Sequence, residues 1–234
     1  MAEIEIRGIS KKYGRKKALK NVSIEISSGK SIGLFGPNGS GKTTLIKILS
    51  GMQRKFKGSI YVNGKKWTHK SKALMSYLPD CEMFEHSKPL KNIVRYYRFM
   101  FKDFDKERFD ALSKRFRIDT ASHFKKLSKG NKEKFQLALI LSRDAHLYLF
   151  DEPIGGVDPA VRQIILDTIV EFRKSDATLI FSTHQLYDVE NLFDEVIFLR
   201  NGEIYLHEPT KVLTKKYNDT VLNIFKKVYM HDAY

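Results

Sequence analysis

Cysteine is almost absent from this chain. Cys81 is the only one among 234 residues, so no intrachain disulfide can form. A disulfide-stapled scaffold is excluded, and a reducing compartment is suited. Nothing around Cys81 forms a cysteine-enzyme pattern, and it reads as a bystander. No apolar run approaches the length of a membrane-spanning helix. Met1–Ser10 alternates polar and apolar residues without a signal-peptide core, which predicts no secretory leader. Internal repeats, low-complexity tracts and flexible linkers are missing as well. Acid is in short supply: 27 Asp and Glu face 42 Lys and Arg, a formal net charge of +15.

That imbalance points to anionic partners: nucleic acid, an anionic membrane surface or acidic protein. The lysines fall in small groups, such as Lys11-Lys12, Arg15-Lys16-Lys17, Lys65-Lys66 and Lys125-Lys126, with no long basic tail. One reading is a solvated surface with local concentrations of charge. The other is attraction to anionic headgroups beside a membrane partner. The length suits one large domain, or a domain with a subdomain, and permits a real core.

Ala2–Ile9 and Asn21–Ser27 alternate as half-buried strands do, with the basic segment Lys11–Lys20 between them. Ser31–Phe35 is a short apolar strand, and Thr43–Leu49 has the spacing of a packed helix. Gly58–Asn63 and Ala73–Leu78 read as further strands, the second ending at Pro79. From 81 to 141 the period turns helical. Ile93, Tyr96, Tyr97, Met100 and Phe101 can share one helix face, and Phe109, Leu112 and Phe116 another. Core packing is the commoner role for such aromatic density, and a docking groove is the alternative. Strand signals return at His146–Phe150, Ala177–Phe181, Glu195–Leu199 and Glu203–Leu206, with a helix at Pro159–Phe172. Lys211–Tyr229 reads as helical. This alternation predicts an α/β core with a largely parallel sheet. It spans 1–80 and 142–208, with a helical subdomain inserted at 81–141 and a helical tail at 209–234.

Gly36 to Thr44, Gly-Pro-Asn-Gly-Ser-Gly-Lys-Thr-Thr, fits the phosphate-loop pattern through Gly36, Gly41, Lys42 and Thr43. Glycines free the backbone so that successive N–H groups, here at Asn38, Gly39, Ser40, Gly41 and Thr44, turn toward phosphate oxygens. Lys42 would reach the terminal phosphates, and the Thr43 hydroxyl would ligate Mg²⁺. The loop opens a helix, whose positive end favours anions. A second apolar strand ends at Asp151-Glu152-Pro153. Phosphoryl transfer to water needs a carboxylate near Mg²⁺ and a group that positions or deprotonates the water. Asp151 suits the first role and Glu152 the second. Leu179–His184 runs from a third apolar strand to a histidine within reach of a γ-phosphate or the attacking water.

Taken in this order, the motifs resemble the ATP-binding subunit of an ABC (ATP-binding cassette) transporter, from about Ile4 to Glu208. Leu127-Ser128-Lys129-Gly130-Asn131 is similar to the family signature Leu-Ser-Gly-Gly-Gln. The resemblance implies a P-loop NTPase fold of the ABC type with an N-terminal antiparallel β subdomain. It implies ATP and Mg²⁺ as ligands, Tyr13 stacked on adenine, and His184 as the switch histidine. Ser128, Lys129 and Gly130 would face the γ-phosphate held by a second protomer. Asp158, in Gly155-Gly156-Val157-Asp158, would lie at that dimer interface. Turnover would need a second ATPase subunit, identical or a sister, and closure would drive a separate multi-spanning membrane subunit docked near Cys81–Tyr97. The expected location is cytoplasmic, at the inner face of the cell membrane.

Three positions depart from the family pattern. Asp80 stands where the family usually has Gln, and is a further candidate Mg²⁺ ligand. Lys129 and Asn131 replace Gly and Gln in the signature. Gly-Val-Asp replaces the commoner Ala-Leu-Asp in the interface loop. Asp80 and the Leu-Ser-Lys-Gly form resemble the ABC-2 type exporters of drugs, peptides or lipid-linked molecules. A self-protection module that removes a toxic peptide shares this biochemistry. A soluble ABC ATPase acting on nucleic acid or ribosomes is the competing class. Its relatives usually carry two cassettes or coiled-coil insertions, and this chain has neither.

Overall fold

The computed structural model describes residues 4–84, 88–174, 176–184, 186, 187, 189 and 192–230. Ala2 and Glu3, residues 85–87 of the expected docking region, and residues 231–234 of the tail lie outside them.

Two sheets organise these residues. The first is antiparallel, in the order β2-β1-β4-β5, from β1 (Ile4–Tyr13), β2 (Lys16–Ile26), β4 (Lys57–Val62) and β5 (Lys65–Lys66). The second runs β10-β9-β3-β8-β7-β6. Its members are β3 (Ser31–Phe35), β6 (Met75–Leu78), β7 (Leu147–Asp151), β8 (Thr178–Thr183), β9 (Glu195–Arg200) and β10 (Glu203–Pro209). All its pairings are parallel except the β9–β10 hairpin.

The second sheet is buried on both faces, so its central strands are apolar without interruption. Strand alternation divides their side chains. Ile32, Leu149, Ile180 and Ile197 face the antiparallel sheet and helix α1 (Lys42–Leu49). Phe150, Phe181 and Phe198 face the other core, with helices α2 (Leu90–Met100), α3 (Lys106–Phe116), α4 (Lys129–Leu141), α5 (Pro159–Phe172) and α7 (Val221–Met230).

Four local expectations change. The basic segment Lys11–Lys20 is not a connection between strands. It completes the β1–β2 hairpin, with Tyr13 opposite Lys16. Leu19 and Ala18 are buried there, and Lys11 folds its stem inward, as an amphipathic side chain can. Residues 69–74 form a 3₁₀ helix, and β6 begins only at Met75. On α2 the buried stripe is Leu90, Ile93, Val94 and Tyr97, while Tyr96 and Met100 face outward. The tail is two helices. The first, α6 (Thr210–Tyr217), ends at Asn218 in the left-handed region, a conformation Asn tolerates. Thr220 Oγ1 then accepts from Asn223 N and starts α7.

Candidate functional site

The site sits where β3, β7 and β8 end side by side. Phe35 runs into the loop 36–41, and α1 begins at Lys42. Gly41 has φ +114°, and a Cβ there would stand 2.6 Å from the Ala18 carbonyl oxygen. A Cβ on Gly36 would meet Leu199 O at 2.4 Å. Both positions therefore demand glycine. The Lys42 ammonium curls back over the loop and donates to Gly36 O at 2.7 Å. Burial holds its pKa below the ordinary lysine value, against the pull of Glu152 and Asp151.

Asp151 ends β7 fully buried, opposite Ser182 in the parallel register. Its Oδ1 accepts from Ser182 Oγ at 2.7 Å and from Thr43 Oγ1 at 3.2 Å. Its Oδ2 is buried without a partner. Burial raises the Asp151 pKa, and the two hydroxyls oppose that rise. An orphaned buried oxygen beside a hydroxyl suits a small hard cation. Among the described residues no group of three or more His, Cys, Asp and Glu is arranged to hold a metal. Mg²⁺ is held by one or two protein groups together with phosphates and water, and the Thr43 hydroxyl beside the Asp151 carboxylate is a pair of that kind.

Glu152 turns sharply, with φ +53°. Left-handed backbone on such a residue is strained and marks functional sites. Its N–H donates to Ser182 O at 3.0 Å. The turn brings the carboxylate over the loop. Oε1 lies 3.7 Å from Lys42 Nζ. Oε2 lies 2.9 Å from His184 Nδ1 and accepts from the His184 N–H at 3.3 Å. Asp80 faces the same space, and its pKa is raised by burial and then by Glu152.

Lys42, Asp80, Glu152 and His184 line a cleft of about 380 Å³, together with Tyr13, Asn38, Gly39, Gly41, Thr43 and Thr44, while the buried Asp151 is not in the lining and is joined to it through Thr43. Gly36 and Ser40 do not line it. Ser40 is buried behind the loop, where its N–H donates to Pro37 O. Tyr13 is 47% exposed at the cleft edge. Lys16, Ala18 and Gly155 also line the cleft, and no motif singled out the first two. The strand turn Tyr13–Lys16 carries them there. Ser182 was hidden in an apolar run, and only the β7–β8 register shows that it faces Asp151.

Ser128, Lys129 and Gly130 are not among the residues lining this cleft. Ser128 caps α4, accepting from Asn131 N at 3.4 Å. Asp158 caps α5, accepting from Val161 N at 3.0 Å. The two caps adjoin: Gly130 lies against Val161, and the Lys129 ammonium reaches over Gly156.

Residues 19–155, more than half the chain, match the family model described as ABC transporter. The chain belongs to the ABC transporter family. It is 34% identical over 213 residues to the uncharacterized ABC transporter ATP-binding protein YdbJ of Bacillus subtilis (strain 168), covering 87% of this chain and 69% of that protein. It is 29% identical over 225 residues to the lantibiotic transport ATP-binding protein SrtF of Streptococcus pyogenes, covering 94% and 97%. Its fold matches a solved ATP-binding subunit of an ABC transporter with a TM-score of 0.82, at 24% identity, over 92% and 93% of the two chains. The protein is thus an ABC ATP-binding domain, an ATPase. Such domains dimerise and partner with a transmembrane subunit. No helix among its described residues is long and apolar enough to cross a membrane.

Proposed function

We propose that this ABC ATP-binding domain dimerises around two Mg-ATP and drives a separate transmembrane subunit, for export of a peptide, drug or similar cargo. The observation that carries the chemistry is Glu152, held between Lys42 and His184 above the phosphate loop. In this reading ATP lies along the cleft with adenine on Tyr13, and its phosphates lie against the N–H groups of the loop and Lys42. Thr43 and Asp151 would hold Mg²⁺, with Asp80 beside them; when bound, the ion draws charge from the β- and γ-phosphate oxygens. Glu152 takes a proton from water as the water oxygen bonds to the γ-phosphorus. The bond from that phosphorus to the bridging oxygen breaks, releasing ADP and phosphate. His184 fixes the rotamer of Glu152, and Lys42 offsets charge on the departing phosphate. One chain supplies half of each site, because the signature is absent from its own cleft lining.

The partner's docking surface would be the hollow of about 770 Å³ beside α2, bounded by Met83, Phe84, Ile93, Tyr96 and Phe99. Phe99 is 83% exposed. Lys88, Asn92 and Arg95 line the hollow too, and exposed aromatic surface rimmed by polar residues marks an interaction site. Peptide cargo is supported by the name of SrtF, a lantibiotic transport protein. The test is Glu152→Gln, which should keep ATP binding and lower hydrolysis by about 10²–10⁴-fold, as loss of a general base does. Near-normal turnover would remove Glu152 from the role.

A further inference from the structure

A second hollow, of about 640 Å³, opens on the antiparallel sheet and shares no lining residue with the nucleotide cleft. It crosses three strands. Lys12 on β1 is the direct partner of Lys17 on β2, and Ser10 on β1 is the partner of Lys57 on β4. Lys20 and Lys55 complete its basic rim, Leu19 and Phe56 lie among its walls, and no carboxylate lines it. Register shifts cluster here, between Ile9 and Lys11, between Lys11 and Lys12, and between Arg7 and Ser10. Such bulges re-aim side chains and gather on one surface what a regular ladder would separate.

The charge is unbalanced. Lys20 stands 3.4 Å from Glu203. Lys12, Lys17, Lys55 and Lys57 have no acidic partner among the described residues. Like charges directly opposite in an antiparallel pair destabilise it, and Lys12 and Lys17 are such a pair. An anion between them would relieve that repulsion. Lys11, 8% exposed, is otherwise committed: its ammonium donates to Lys55 O at 2.7 Å and lies 4.7 Å from the Tyr13 ring centre. It lines this hollow, and the Tyr13 ring beside it lines the nucleotide cleft. Ammonium groups on flexible stems bind phosphate as point charges, and Leu19, Phe56 and the lysine stems give the floor an apolar character.

We propose that this groove binds a phosphate-bearing anion, the headgroup of an anionic phospholipid being the occupant its apolar floor favours. The site is independent of the nucleotide reading, since it uses none of that cleft's residues.

The test is co-sedimentation with vesicles of 30% phosphatidylglycerol in phosphatidylcholine. Wild type is compared with Lys12→Gln/Lys17→Gln/Lys57→Gln and with a control losing the same charge, Lys211→Gln/Lys215→Gln/Lys226→Gln. Each lysine at an anionic surface contributes about fivefold, so the groove variant should lose on the order of 10²-fold in partitioning. The control should lose several times less. Equal losses in both variants would reduce the effect to net charge and overturn the site, and no vesicle binding by wild type would overturn the lipid. Calorimetry with inorganic tripolyphosphate separates the sources. Groove-dependent binding of tripolyphosphate without vesicle binding would keep the phosphate chemistry and overturn the lipid. Thermal melts of both variants establish that the lost binding is not lost folding.

Discussion

Glu133 lies on α4, three residues past Gly130, half-buried near Asp80 and Glu82. Burial pushes its pKa up to about 7, with Lys129 pulling the other way and the two carboxylates adding to the rise. The folded chain therefore holds a proton that the unfolded chain releases near the ordinary value. Stability falls as pH rises from about 4.5 to about 7. Glu133→Gln should match wild type near pH 4.5 and melt higher at pH 8, by about 2–4 °C for each kcal/mol gained. A melting difference that does not change with pH would contradict this. Lys42→Ala should abolish detectable nucleotide binding by isothermal titration, and unchanged affinity would contradict the phosphate-loop assignment. At this scale much of the candidate site was legible. Lys42, Thr43, Asp151, Glu152 and His184 converge because motif spacing fixes where each leaves its strand or loop. Lys16 and Ser182 were not legible. A lysine in a basic run and a serine in an apolar one carry no local signal, and only pairing across strands brings Lys16 to the cleft and sets Ser182 against Asp151.

Arg143, just beyond the end of α4, ties the helical block to the parallel sheet. It is buried, donates to Asp103 Oδ1 at 3.1 Å and Oδ2 at 2.8 Å, and reaches Met75 O at the start of β6 and Ala73 O in the 3₁₀ helix before it. Its guanidinium also lies 4.0 Å from the Phe101 ring centre. Removing one partner of a fully buried ion pair costs about 3–5 kcal/mol, and because Asp103 is partly exposed the loss here falls at the lower end of that range. Arg143→Ala should show that loss in urea denaturation, and a loss below about 1 kcal/mol would contradict the role. The sequence showed α1 to α5 through their apolar periodicity and the central strands through the uninterrupted apolar runs that burial on both faces leaves. It did not show the tie, which depends on the Arg143 side chain meeting a carboxylate 40 residues away and a main-chain carbonyl 68 residues away. Nor did it show the basic hairpin. Lysines read as solvated until the sheet buries the stem of Lys11, and helical periodicity ran across the break at Asn218.

At the scale of the molecule, the proposed dimer assigns two halves of a site to separate places on one chain: the cleft on the sheet, and the capped α4 and α5 termini at Ser128 and Asp158. The proposed dimer brings each cleft to the other chain's α4. A two-fold pair makes the same contact twice, so complementation tests it. Lys42→Ala destroys the cleft of one chain and Ser128→Arg the signature of another. Each variant alone should be inactive. Mixed one to one, half the dimers combine both variants and hold one intact site of two, and ATP turnover should return to at most about a quarter of wild type. Turnover that stays at the level of the separate variants, in a mixture shown by sedimentation to exchange partners, would contradict a site shared between chains.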